Sequence, residues 1–470
     1  MNLRKRLLRA PCATAALLLA ASCGDGGTAP PVSSGPAVLH IVSGGATADT
    51  IQGVVAPLVV EVRDANGRPI PGVAVEFTAR VVPGTSIPAL YIRTNGAYSG
   101  VAVAVTDVIG RATLNVAMGA YAGPSYLVFG VRSLGLLDSA RYEVRPGAPA
   151  RLAVTPRDTT VAVGASFTMP VSAFDRQGNP TVSSGTTLVA RTAAVTTSGL
   201  TVTAQSFGRT VVVAEAGGMR DSLMLAVVPR GTLAAQEGIG VMLLASDGTG
   251  ARRLLQSGSW PRWMPDGNTL LVSSGTLMRV SRADGAATPV IPGSTGQSDF
   301  HPHPSRDGQW IYFDRAVAGG GSRLWRVRSD GTGAEVIPGF DGIYGSYPSP
   351  SPAGTRLAFG QGSVTIGEVG TGQVTALTEG ESAEWSPTGE WIAYLRGAGV
   401  RVVRPDGTGA RTVGGTFAYS DGIDWSPDGE WLVARSGARN RLELIHVATN
   451  LVIAVPNSAN LYQPSWGPAP

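Results

Sequence analysis

Lysine is almost absent: Lys5 is the only one in 470 residues, and every other basic side chain is arginine. Thiols are as rare, with Cys12 and Cys23 alone, so no disulfide framework and no thiolate-rich metal site can be built beyond residue 23. The four histidines leave little scope for Cys/His nucleophile pairs. Charged residues make up only 15%, and the formal charge of +4 comes from Arg4, Lys5, Arg6 and Arg9. Without those four, 33 basic side chains face 33 acidic ones. A balanced chain has no phosphate-attracting excess, which argues against nucleic acid or an anionic membrane surface as a partner. What is abundant is apolar residues at 43%, with 63 Gly and 33 Pro. That is too apolar for disorder and too long for one core, so two to four domains are expected.

Residues 1–22 read as a secretory signal: a basic start, an apolar stretch from Ala13 to Ala21, then small residues. The apolar run is too short for a permanent membrane span. The segment Ala20-Ala21-Ser22-Cys23 resembles a bacterial lipoprotein lipobox, although Ala20 stands where Leu is usual. The resemblance implies that Cys23 carries lipid, Cys12 is removed with the leader, and the outer membrane is the address. Residues 23–36, rich in Gly, Ser and Pro, read as a flexible tether.

From residue 37 onward the chain alternates apolar and polar residues in short runs broken by turns. Leu58-Val59-Val60-Glu61-Val62, Val73-Ala74-Val75-Glu76-Phe77 and Val101-Ala102-Val103-Ala104-Val105 are expected strands, the first two joined by a hairpin at Asn66-Gly67. The stretch Val62-Arg63-Asp64-Ala65-Asn66-Gly67-Arg68-Pro69, with Thr106-Asp107 and Gly110-Arg111 later, resembles bacterial immunoglobulin-like modules of invasin and intimin type. It implies a sandwich over 37–147. A second run, with Leu152-Ala153-Val154-Thr155-Pro156, Ala173-Phe174-Asp175 and Val211-Val212-Val213, resembles the second bacterial immunoglobulin-like group and implies a sandwich over 148–230. Such modules act as spacers or bind through one loop end.

Residues 231–470 contain an internal repeat. Six heptapeptides follow P-x-W-S-P-D-G: 261–267 (PRWMPDG), 302–308 (PHPSRDG), 348–354 (PSPSPAG), 383–389 (AEWSPTG), 423–429 (IDWSPDG) and 464–470 (PSWGPAP). Their starts lie 41, 46, 35, 40 and 41 residues apart, the period of a propeller blade. Turns at Asp247-Gly248, Asp284-Gly285, Asp330-Gly331, Gly370-Thr371, Asp406-Gly407 and Thr449-Asn450 fall between them. The region opens with a turn unit that lacks a heptapeptide and ends with a heptapeptide that lacks a turn unit. Joining the ends completes a sixth blade and removes open edges. This pattern resembles the WD40-like repeat of TolB-type propellers, also found in relatives of prolyl oligopeptidase, and implies an all-β chain: two sandwiches and a six-bladed propeller closed by its last strand. All nine Trp lie between Trp260 and Trp466, where the repeat makes them inter-blade core.

No G-x-S-x-G elbow, phosphate-binding loop or EF-hand loop is present, and no catalytic residue or cofactor is expected. His301 and His303, two apart on a strand and near Asp299, could share a metal ion, but no third ligand is identifiable, so no metal is expected. The second slot of the heptapeptide is polar in all six repeats: Arg262, His303, Ser349, Glu384, Asp424 and Ser465. Alternation predicts that these six converge at the channel mouth, either as a peptide or small-ligand site or as a ring of solvated groups satisfying one another. Removing Glu384 and Asp424 together is expected to weaken capture with little change in melting temperature. The expected function is a monomeric, lipid-anchored envelope module binding a protein or peptide, with a glycan as a further possibility. The alternatives are a short adhesin, or a carbohydrate lyase or hydrolase drawing its acid and base from Glu384, Asp424 and His303.

Overall fold

The computed structural model describes residues 37–469, apart from 84–85, 293–297, 361 and 416–418. The leader, Cys23 and the tether lie outside the described residues. Among the described residues every regular element is a β-strand except one 3₁₀ turn at Arg132–Leu134. Among those residues the chain is all-β, and no helix there is long and apolar enough to cross a membrane. It divides into two compact units after Gly147.

The first unit holds two five-stranded sheets. One runs Val38–Ser43, Leu58–Arg63, Arg111–Met118, Leu90–Thr94, Ala97–Ser99; the other runs Thr47–Thr50, Leu136–Arg145, Gly123–Val131, Ala74–Ala79, Val101–Val105. Period-two alternation sends Val60, Phe77, Leu114, Leu127 and Phe129 into a shared core. The Asn66-Gly67 turn forms, with Gly67 at φ 75° and its N–H donating to the Asp64 carbonyl at 3.0 Å. It does not make the expected hairpin. The chain runs back beside Arg63 only as far as Pro69 and Ile70, whose N–H donates to the Val62 carbonyl at 2.9 Å, and Ala74–Ala79 then belongs to the sheet opposite Leu58–Arg63.

The second unit begins with three small sheets around a core that includes Leu152, Val202, Val212, Ala214, Leu223 and Leu225. Their longest pair, Gly208–Ala216 with Met219–Val228, feeds directly into a ring of sheets, and Val228 packs in that ring's own core. Phe207 stands edge-on to Trp431 at 5.3 Å, and Arg209 donates to the Val452 carbonyl at 2.8 Å.

Among the described residues the ring consists of six four-stranded antiparallel sheets. Five are consecutive in sequence; the sixth joins Thr232–Glu237, Gly240–Ala245 and Arg252–Leu255 to the last strand, Leu461–Gly467. In that closure Leu233 sits opposite Trp466 and Ala234 opposite Ser465. Each innermost strand touches the next around the circle: Leu461–Gly467, Ser259–Trp263, Asp299–Pro304, Ser346–Pro350, Glu381–Trp385, Tyr419–Trp425. At the seam the heptapeptide departs from its consensus at Gly467, because a Cβ there would come within 2.5 Å of the Trp263 indole.

Candidate functional site

Each inner strand breaks its ladder just before the second heptapeptide slot. Ser259 pairs with Ser273 and Arg262 with Leu271, so Trp260 and Pro261 lie in a bulge; four of the other five inner strands repeat this, and in Tyr419–Trp425 the break lies one residue earlier, between Ser420 and Ile423. Proline, which has no N–H to leave unpaired, fits the first slot of four repeats as Pro261, Pro302, Pro348 and Pro464. The residue before it takes a left-handed backbone in every repeat: Trp260 φ 54°, His301 48°, Tyr347 58°, Ser382 53°, Gly422 92° and Gln463 50°.

Beyond the bulge, the six second-slot side chains meet in one network. Arg262 pairs with Glu384 through Nη2, and its Nη1 lies 3.1 Å from Asp424 Oδ1. His303 Nε2 lies 3.0 Å from the other Glu384 oxygen and 3.5 Å from the Ser349 hydroxyl. Ser465 donates its hydroxyl to Asp424 Oδ2 at 2.9 Å, and the same oxygen accepts the Trp466 N–H at 2.8 Å. Ser349 and Ser465 accept the backbone N–H of Trp385 (3.0 Å) and Trp263 (3.3 Å) from adjoining sheets. All six predicted residues are therefore brought together, and their charges satisfy one another.

The network is largely withdrawn from water. Exposure of the Arg262, Asp424 and Glu384 side chains is 15%, 16% and 5%. Burial pulls the Arg262 guanidinium down, but the Glu384 and Asp424 carboxylates outweigh it and hold the group above its ordinary value. Burial pushes Glu384 up, yet the charges of Arg262 and then His303 leave it below the usual carboxylate range. Asp424 is raised, by burial first; the Arg262 charge opposes this and the neighbouring Glu384 charge adds to it. One cation thus serves two carboxylates, and Glu384 takes the larger share. Removing both carboxylates would leave a buried guanidinium unpaired, so the expectation of an unchanged melting temperature does not survive the burial seen here.

This network floors a cavity of about 370 Å³. Trp263, Trp385, Trp425 and Trp466 contribute to its walls while remaining buried between sheets; Arg356 lies over Trp385 at 5.0 Å, and the Trp425 indole N–H donates to the Glu384 carbonyl at 3.0 Å. The fifth slot forms the rim, as Pro265, Pro352, Pro387, Pro427 and Pro468, with Arg306 as its one cation.

His301 and His303 do not share a site. The bulge separates them: His301 Nδ1 lies 2.6 Å from the buried Asp314, and His303 turns to Glu384. Asp299 is held by Arg315 at 2.6 and 2.9 Å, and no cluster of three metal-ligating side chains occurs among the described residues. On the other side of the floor, Trp260, His301 and Tyr347 pack ring against ring, with centroids 4.1 Å (Trp260 to His301), 3.8 Å (His301 to Tyr347) and 5.1 Å (Trp260 to Tyr347) apart. Sequence reasoning missed this cluster. Its signal was the column just before each heptapeptide, where only Gly422 hinted at an unusual backbone.

No family model and no curated protein matches the chain. Among solved structures it is similar to TolB from Acinetobacter baumannii, with a TM-score of 0.43 and 13% identity over 68% of this chain and 99% of that one. It is also similar to a nidogen/laminin complex (TM-score 0.43, 12% identity, 50% and 98% covered) and to an oligogalacturonate lyase from Vibrio parahaemolyticus (0.34, 12%, 52% and 73%). Likeness at these identities concerns the course of the backbone alone. The ring of four-stranded antiparallel sheets has, by its own topology, the architecture of a β-propeller.

Proposed function

We propose that this chain is a binding module of the cell envelope, lipid-anchored through Cys23, in which two immunoglobulin-like sandwiches carry a six-bladed propeller. The propeller takes a protein or peptide segment in its channel. The observation that carries this reading is the cavity of about 370 Å³ whose floor is a self-satisfied charged network and whose walls and rim are Trp and Pro. A polar floor under apolar, rigid walls is the composition of a ligand pocket, and the volume suits one or two side chains. Because Glu384, Asp424 and His303 are bonded to Arg262 or to one another, the floor is built to orient a guest rather than to supply a free acid and base.

The test is pull-down from envelope extract alongside a variant that fills the mouth. Pro427 is exposed on the rim in a turn closed by the Gly429 N–H donating to the Ser426 carbonyl, so Pro427→Arg adds bulk without touching the floor. Saturable capture by the parent chain and its loss in Pro427→Arg, at an unchanged melting temperature, support the reading. Equal capture by both would reject the cavity. Turnover on glycan or peptide panels that Pro427→Arg abolishes would point to an envelope lyase or hydrolase instead.

A further inference from the structure

Val101–Val105 is the outermost strand of its sheet. It pairs with Ala74–Ala79 on one side and with no strand on the other among the described residues. Ala102 and Ala104 pack against the core, whereas Val101, Val103 and Val105 point outward and are 60%, 62% and 61% exposed. Open edges are usually blunted by lysine, proline, a bulge or an inward charge, since unpaired backbone groups beside apolar side chains recruit another strand. Residues 97–106 (AYSGVAVAVT) carry no charge and no proline, and the ladder from Ala74↔Val105 to Thr78↔Val101 has no register break. The edge is long enough to pair and flat; its one local blunting is the Val101 N–H, which donates to the Ser99 hydroxyl at 3.2 Å and would have to be exchanged for a partner carbonyl.

We propose that this edge pairs with the same edge of a second copy of the chain, the two strands running antiparallel about a two-fold axis through Val103. A closed dimer built on one strand must pair it with itself in the antiparallel sense. The sequence is suited to that, because Val-Ala-Val-Ala-Val reads identically in both directions. Val101 of one copy falls opposite Val105 of the other, Val103 opposite Val103, and Ala102 opposite Ala104, so every outward pair is valine on valine and every inward pair alanine on alanine. Charge permits it too. Glu76, opposite Val103 in the neighbouring strand, is the charged outward residue there; its two copies would lie three strand spacings apart, about 14 Å, beyond the screening length at physiological salt. The chain's own 24–36 segment is a poor competitor, since Pro30, Pro31 and Pro36 cannot donate to a ladder. The sequence-based expectation of a monomer took no account of which strand would lie at an edge.

Five residues a side bury less than the roughly 1,000 Å² of a stable interface, so association belongs in the micromolar range or weaker. The experiment is sedimentation equilibrium on the chain from residue 24 onward, from about 5 to 500 µM. The parent should show a monomer–dimer equilibrium, and Val103→Lys, which sets two ammonium groups face to face at the axis, should weaken it at least tenfold. Val108→Lys, at a position 85% exposed outside the strand, should leave it unchanged, and circular dichroism melting should show both variants folded. A monomer throughout overturns the proposal, as does a dimer indifferent to Val103→Lys. Binding of a foreign strand peptide by a monomeric parent overturns it as well, because the edge then serves another partner.

Discussion

The propeller and the first sandwich handle their sheet edges in opposite ways. The propeller spends its last strand on closing the circle, and most of its outward-facing strands are short: Ala287–Pro289, Glu335–Val336, Arg411–Val413 and Val452–Ala454 have two or three residues each. The sandwich has no closure and leaves a five-residue valine edge exposed. In a ring, order depends on contacts between the chain's two distant ends; in the sandwich it depends on neighbouring layers.

Removing residues 460–470 should break this contrast most severely. The strand opposite Thr232–Glu237 disappears with Trp466, and burial of a single Trp is worth about 3–5 kcal/mol. Calorimetry should then lose the propeller transition while the first unit still melts cooperatively. Arg262→Ala comes next: it strands the buried carboxylates of Glu384 and Asp424 and should lower the propeller transition by about 3–5 kcal/mol, leaving the sandwich transition in place.

Acid unfolding sharpens the comparison further. Glu384 lies below its ordinary range, so its stabilisation is complete above the unfolded carboxylate pKa and is lost as pH falls through the native value. Asp424 lies above its ordinary range and has the opposite sign, because the native state takes up that proton first. Denaturant midpoints between about pH 3 and 6 should therefore fall less steeply in Glu384→Gln and more steeply in Asp424→Asn, with the sandwich unaffected. The smallest effect is expected at Ser382, held at φ 53°. Ser382→Gly relieves a left-handed backbone and should raise propeller stability by up to about 1 kcal/mol in equilibrium unfolding.

The all-β class and the repeat were legible because both rest on local periodicity: apolar alternation, Asp-Gly turns, and Trp at a fixed offset. Arg262 and Glu384 could be placed on one ring because they occupy the same column of that repeat. What the sequence withheld was depth. Nothing in the column shows that Arg262 is shared between two carboxylates, or that it is largely buried, since both depend on how close six strands approach at an axis. The left-handed residues were hidden for another reason. Trp and Tyr are poor formers of that conformation, and local propensity argues against the geometry that the bulges impose there. Likewise, the Asn66-Gly67 signal specified a turn correctly but not whether the chain after it would return to the same sheet.

The three clustered rings also have a bearing on traffic through the axis. Beneath the charged floor, the hollows beside Trp260, His301 and Tyr347 hold about 10 Å³ each, room for a single water molecule. If the proposed guest enters over the charged network, hollows of that size admit no side chain beyond it, so a free end or a tight loop of polypeptide meets the proposal rather than the middle of an extended strand.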